Sequence, residues 1–238
     1  MRGRRLADFI FPPRCCGCDR LTRGSSPVCS DCQKLVVKTS DRKSACDICG
    51  MELDKCLCGK RLYFHKSATV FYHEGNPRKV IFKLKFHARP DIATTYSAAL
   101  KEILDKRGIL ADTDLITCIP MTPAAKLIRG YNQSELIAKA IADLSGIEFL
   151  PVLYKERGIP KQHQVKNVSR RANVLGVFEL KKDMLQNIQN KRILIVDDVT
   201  TTGNTLNEAA KTLLIFGAGE IFTASCTTRK KITKKTVE

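Results

Sequence analysis

Residues Ile193–Thr205 read ILIVDDVTTTGNT, and the order of residue types in this stretch decides the fold. Ile193–Val196 is a short, continuous apolar run, the pattern of a strand buried on both faces in a parallel sheet. Asp197 and Asp198 follow at its carboxyl end, which is where open α/β sheets bind ligands. Thr200, Thr201, Thr202, Gly203, Asn204 and Thr205 then make a small polar loop that leads into a helix. Backbone N–H groups, hydroxyl donors and the positive end of a helix together form a cradle for an anion, and Gly203 lets the backbone approach it closely. Two adjacent carboxylates suit sugar hydroxyls, or a metal ion carried in by a pyrophosphate. The bland alternative is an Asp-Asp pair that only caps a turn.

Outward from this stretch the chain alternates strand-like and helix-like segments. SATVFYHE (67–74) reads as a strand and NPRKVIFKLKF (76–86) as a helix opened by Asn-Pro. Another helix is expected from Asp91 to Arg107, and DLITCIP (114–120) is a buried strand ended by Pro120. Leu136, Ile137, Ala140, Ile141 and Leu144 recur at helical spacing. PVLYKER starts as a strand and runs into a basic stretch, 155–173, with six Lys/Arg and one acid, Glu156. After the decisive strand, TLNEAAKTLLIFGAG is a helix closed by Gly217 and Gly219, and EIFTASCTT a last strand. The class is α/β: a mostly parallel sheet flanked by helices.

Residues 1–62 have a different character. Nine of the eleven cysteines lie between residues 15 and 58: Cys15/Cys18, Cys29/Cys32, Cys46/Cys49 and Cys56/Cys58, with Cys16 extra. The start, MRGRRLADFIFPPRC, is too short in apolar residues for a signal peptide, so Leu6, Phe9, Ile10 and Phe11 are expected in a short anchor packed on the body. Clustered pairs without a secretion signal point to metal rather than disulfides. A redox CxxC would be one motif opening a helix, not a tandem array. Eight thiols can hold one or two structural Zn²⁺ ions, since four thiolates leave no open position for catalysis. Consecutive and interleaved pairings are both open, and the CxC of the last pair is the unusual spacing. The chain divides into a Cys-rich zinc-binding module, 1–62, and an α/β domain, 63–238.

The formal net charge is +17; two tetrathiolate zinc sites would lower it to about +13. That excess suits polyanions, although a basic surface alone would look the same. Aromatics make up 6% with no Trp, which argues against an extended base-stacking platform. No run approaches the length of a bilayer span, so membrane insertion is not expected and the location is read as cytoplasmic.

The strand, acid pair and Thr/Gly loop resemble the signature of type I phosphoribosyltransferases. Paired cysteines, KLKF (83–86), RGYNQ (129–133), QHQVKNVSRRAN (162–173) and VDDVTTTGNT, in that order, resemble the ComF family of bacteria over nearly the whole chain. That resemblance implies a zinc-finger module fused to a type I phosphoribosyltransferase-like domain, with a role in natural transformation and DNA uptake. It implies phosphoribosyl pyrophosphate (PRPP) as ligand, arriving with Mg²⁺. Asp197 and Asp198 would hold the ribose 2- and 3-hydroxyls, and Thr201 to Thr205 the 5-phosphate. Pro120–Pro123 would meet the pyrophosphate, and Arg129 would be a further phosphate ligand. The basic stretch resembles the loop that closes over substrate, with Arg157, Gln162 and Arg170 as catalytic residues and Asn173 beside them. Single-stranded DNA is the implied macromolecular partner, with a helicase or DNA-processing protein as a further one. The alternative is an active phosphoribosyltransferase of nucleotide salvage; the intact acid pair and loop favour it, and the lack of a base-recognising element weighs against it.

Overall fold

A computed structural model describes residues 14–22, 28–34, 46, 48–51, 56–73, 75–87, 89–155 and 177–228. The expected anchor at Leu6, Phe9, Ile10 and Phe11 lies outside them, as does the basic stretch beyond Lys155.

Alternation along the central strand sets the layering. The decisive stretch opens in β5 (Arg192–Thr200), inside a four-stranded sheet with β1 (Lys66–Tyr72), β2 (Leu115–Cys118) and β6 (Glu220–Thr228). The order is β1-β6-β5-β2 and every pairing is parallel. Residues 148–150 run along the outer edge of β2 through a parallel bridge between Ile116 and Phe149. Leu194 and Val196 enter one core while Ile193 and Ile195 enter another, the two-residue period of a pleated strand. All four are fully buried, so both faces of the sheet are covered.

Helices cover the first face: α2 (Gly75–Phe86), α3 (Ile92–Lys106) and α5 (Gln133–Ser145), through Leu84, Leu100, Leu104, Ile137 and Ile141. α5 starts where Asn132 accepts from the Ser134 N–H at 3.1 Å and stops at left-handed Gly146, the usual cap chemistry at each end. The second face carries α7 (Asn204–Ile215) through Leu206, Ala209, Ala210 and Leu213. Part of that face is covered by the Cys-rich module, whose Cys49, Met51 and Leu57 join the same cluster beside Phe64, and Val152, Leu153, Phe178 and Ile188 join it from other segments. The module is fastened by hydrogen bonds: Ser67 N–H donates to the Ile48 carbonyl at 2.7 Å, and Asn207 Nδ2 donates to the Arg61 carbonyl at 3.0 Å. Gly50, at φ +68°, lets this happen, because a Cβ there would stand 2.9 Å from the Ser67 oxygen.

Three short helices complete the list of helices among the described residues: α1 (Ser30–Lys34), α4 (Pro123–Arg129) and α6 (Leu185–Ile188). The expected strand in PVLYKER is present but short, and a further helix follows Pro120. The strand begun by PVLYKER is only β3 (Leu153–Tyr154), paired antiparallel with β4 (Glu179–Leu180) outside the main sheet. Residues 148–150 already occupy the edge of β2, and Pro151 offers no N–H to extend that ladder. Thr122 accepts from Ala125 N–H at 3.3 Å, Pro123 takes the first helical position, and α4 follows with no buried residue, hence no apolar period to read.

Candidate functional site

β5 carries the acid pair further into the sheet than its sequence suggests. Asp197 is in register with Ser225, and pairing continues through Val199 and Thr200 opposite Thr227 and Thr228. Thr200, expected in the loop, is therefore the last strand residue, and it is buried. Both aspartates are buried too, at 9% and 7% exposure. Two carboxylates this close and this dry cannot both ionise freely. Burial, with the Asp198 charge beside it, pushes Asp197 up to about 7, while Ser134 and the Asp198 N–H pull the other way. Ser134 Oγ donates to Asp197 Oδ1 at 2.9 Å and Asp198 N–H to the same oxygen at 2.8 Å. Lys85 Nζ meets Asp198 Oδ2 at 2.9 Å.

Three elements build this corner. The start of α5 brings Ser134 to Asp197, with Asn132 and Gln133 just before it and all three buried. Asn132 does more than cap: its Nδ2 donates to the Ile119 carbonyl at 3.0 Å, joining the end of β2 to the start of α5. α2 contributes Lys85 from the KLKF motif. Gln133 Nε2 and Thr200 Oγ1 are buried without a hydrogen-bond partner among the described residues. Orphan polar atoms cost about 1–3 kcal/mol each, so two beside an acid pair fit a polar ligand.

The loop after β5 completes the cradle. Thr201, Thr202, Asn204 and Thr205 are exposed and Gly203 is buried. α7 begins without a side-chain cap and with no acid in its first turn, leaving its N–H groups directed at solvent. Gly203 has φ +73°, and a Cβ on it would overlap Leu57 Cδ1. Leu57 belongs to the Cys-rich module, so the module touches the loop itself.

Arg129, the last residue of α4, places its guanidinium 5.0 Å from the Phe86 ring centroid and 3.4 Å from Gln133 Oε1. Its hydrogen-bond partner is Gln133, the residue before Ser134, and not either acid. Pro120 and Pro123 line a cavity of about 130 Å³ with Met121, Asn132, Tyr154 and Lys181 on its walls. Arg157, Gln162, Arg170 and Asn173 lie outside the described residues. Lys85, Ser134 and Leu57 are the site residues that the sequence did not single out. The KLKF motif held the first of these, whereas nothing in the sequence marks the other two.

The thiols form two groups, Cys15/Cys18/Cys29/Cys32 and Cys46/Cys49/Cys56/Cys58, each with its sulfurs within 4.8 Å of one another. Consecutive pairing is therefore the arrangement present. Sulfur separations of 3.8 Å (Cys18–Cys29), 3.6 Å (Cys46–Cys58) and 3.8 Å (Cys49–Cys56) match the edge of a tetrahedron with 2.3 Å Zn–S bonds, about 3.8 Å. Main-chain N–H groups of Gly17 and Cys29 point at Cys15 Sγ, and that of Leu57 at Cys49 Sγ, as thiolates require. The donor sets fit structural zinc, the unusual CxC pair included.

Comparisons agree with this geometry. The profile described as "Phosphoribosyl transferase domain" matches residues 99–237, and "Double zinc ribbon domain" matches residues 6–62. The chain is 28% identical over 211 residues to "DNA utilization protein YhgH" of Escherichia coli K12, covering 84% of this chain and 90% of that protein. It is 27% identical to "Competence protein F" of Haemophilus influenzae, covering 89% and 95%. It is 34% identical to "Competence protein ComFC" of Streptococcus pneumoniae across 45% of this chain and 44% of that one.

Proposed function

The chain belongs to the phosphoribosyl transferase domain family and carries an N-terminal double zinc ribbon, and from that premise we propose that it is a ComF-type protein of DNA uptake that binds PRPP and single-stranded DNA. The buried acid pair beside an exposed, uncapped phosphate loop carries the ligand part of this reading. The diol of a ribose would take the carboxylates, and its 5-phosphate the N–H groups of the 201–205 loop. Mg²⁺ entering with the pyrophosphate would neutralise its charge. Relatives named for competence and DNA utilization and a net charge of +17 support the nucleic-acid part and a cytoplasmic place of action. A helicase or DNA-processing partner would dock on the module, where Leu21 and Ile48 are exposed.

The test is calorimetry with PRPP and Mg²⁺ on the wild type and on Asp197→Ala/Asp198→Ala. Binding should vanish in the variant while its circular dichroism stays native. Equal binding by the two proteins refutes the site. For DNA, affinity should fall steeply with salt; a salt-independent affinity refutes the phosphate contacts. Retention of the full acid pair and loop also favours a second reading, transfer of the ribose 5-phosphate to a nitrogen nucleophile with loss of pyrophosphate. Pyrophosphate released from PRPP in the presence of a nucleobase would establish it.

A further inference from the structure

Exposed apolar side chains gather at one corner of the domain. Of the nine large hydrophobic residues exposed among the described residues, four lie on α2 and α4: Phe82, Phe86, Leu127 and Ile128. Phe82 and Phe86 are one helical turn apart, more than half exposed, with ring centroids 4.8 Å apart and planes tilted by 46°. The His87 ring lies 5.6 Å from Phe82, and the Arg129 guanidinium covers the far side of the cluster at Phe86. An apolar cluster of this kind on a free surface marks an interaction site.

Charge narrows the occupant. α2 holds four basic residues, Arg78, Lys79, Lys83 and Lys85, and no acid. Lys83 pairs with Asp19 and Lys85 with Asp198. Arg78 and Lys79 are exposed and enter no ion pair among the described residues. Arg78, Phe82 and Phe86 succeed one another at four-residue steps on one helical face, about 6 Å apart along the axis. Both rings are exposed and tilted against each other, so each can stack only on a base whose face is free, and in a duplex neighbouring pairs cover those faces. A ligand with separated aromatic faces and regularly placed phosphates is an unstacked single strand.

We propose that the Phe82–Phe86 face of α2 is a base-stacking site for single-stranded nucleic acid, with Arg78 and Lys79 on its phosphates. This rests on the nucleic-acid part of the function proposed above and gives it a location. The strand would lie next to the acid pair, because Lys85 and Phe86 are consecutive and Lys85 reaches Asp198.

The experiment is fluorescence anisotropy of a labelled oligothymidylate of about twenty nucleotides with the full-length, zinc-loaded protein. Phe82→Ala should weaken binding by about 5- to 150-fold, the worth of one stacked base, and Phe82→Trp should restore it. The same substitution should leave affinity for a duplex of equal length and for PRPP unchanged. Arg78→Gln/Lys79→Gln should instead lower the slope of log K against log salt by about 1.4, the loss of two single-strand phosphate contacts. Native circular dichroism of each variant excludes misfolding. If Phe82→Ala binds the single strand like the wild type, this site is wrong though the protein still binds DNA. If Phe82→Ala leaves DNA affinity intact but dissociates a wild-type dimer on gel filtration, the face joins two copies and the proposal is overturned. A wild type with no affinity for any single strand removes both this site and the DNA part of the function, and leaves PRPP binding standing.

Discussion

Gly203→Ala tests whether the Cys-rich module physically braces the loop after β5. Two costs are expected. An L-residue at φ +73° loses about 1–2 kcal/mol relative to glycine. The new methyl also falls on Leu57 Cδ1, and Leu57 is only 8% exposed within the second core. Forcing extra volume into a packed core costs about 1–3 kcal/mol. The single variant should therefore lose about 2–5 kcal/mol. Leu57→Ala alone should cost about 2–5 kcal/mol as a large-to-small core change. In the double variant the two methyl-bearing groups no longer compete for one space, so only the backbone and cavity costs remain. The double should be more stable than the sum of the singles predicts by about 1–3 kcal/mol. Guanidinium titration of zinc-saturated protein, followed by circular dichroism because the chain has no Trp, measures all four corners of the cycle. Additivity within about 0.5 kcal/mol would refute the contact. A stable Gly203→Ala variant would also refute the left-handed backbone.

The other predictions concern proton and metal. Folded Asp197 is raised to about 7 from 3.8, so the native state keeps a proton that the unfolded chain has released. Its contribution to stability is therefore complete at low pH, falls as pH rises between about 4 and 7, and is flat beyond. Hydroxyl binding uses the ionised form, so PRPP affinity should rise through about pH 7 with proton release, read by calorimetry in buffers of different ionisation enthalpy. Ser134→Ala removes a hydrogen bond to the charged form and should move that rise to higher pH; an unchanged midpoint would show that Ser134 does not set it. Zinc analysis should return two equivalents per chain, falling to one in Cys58→Ser. Chelation should lower the melting temperature, since binding free energies of structural zinc in small modules are on the order of 10 kcal/mol; two equivalents persisting in Cys58→Ser would dissolve the second site.

Much of this architecture was legible because its signals are local. Ile193–Val196 had to be a doubly buried strand, and the 76–86, 91–107 and 132–144 helices follow from caps and apolar spacing. The grouping of cysteines was legible as metal, but not its pairing, since spacers of similar length permit either arrangement. What the sequence did not disclose depends on tertiary contact. β3 leaves the sheet because residues 148–150 reach the edge first. α4 buries nothing and so carries no periodic signal. Ser134 and Lys85 look like ordinary helix residues until α5 and α2 are laid beside β5. An aromatic content of 6% rules against an extended stacking platform but not against two rings placed on one exposed turn.

The decisive stretch gains a second meaning from its neighbours. A type of site usually attributed to strand and loop alone is here completed by a segment some 150 residues earlier in the chain. Residues 46–64 lack enough apolar surface for a core of their own, so Cys49, Met51, Leu57 and Phe64 share the core of the sheet. The same face holds Ile193 and Ile195, which lead directly to the acids. Loss of metal would free the knuckle, uncover these residues and remove the side chain packed on Gly203. The zinc would then be structural in the strict sense, yet felt at the ligand. Position of the loop, rather than any chemistry at the metal, is then what loss of zinc would change at the acid pair.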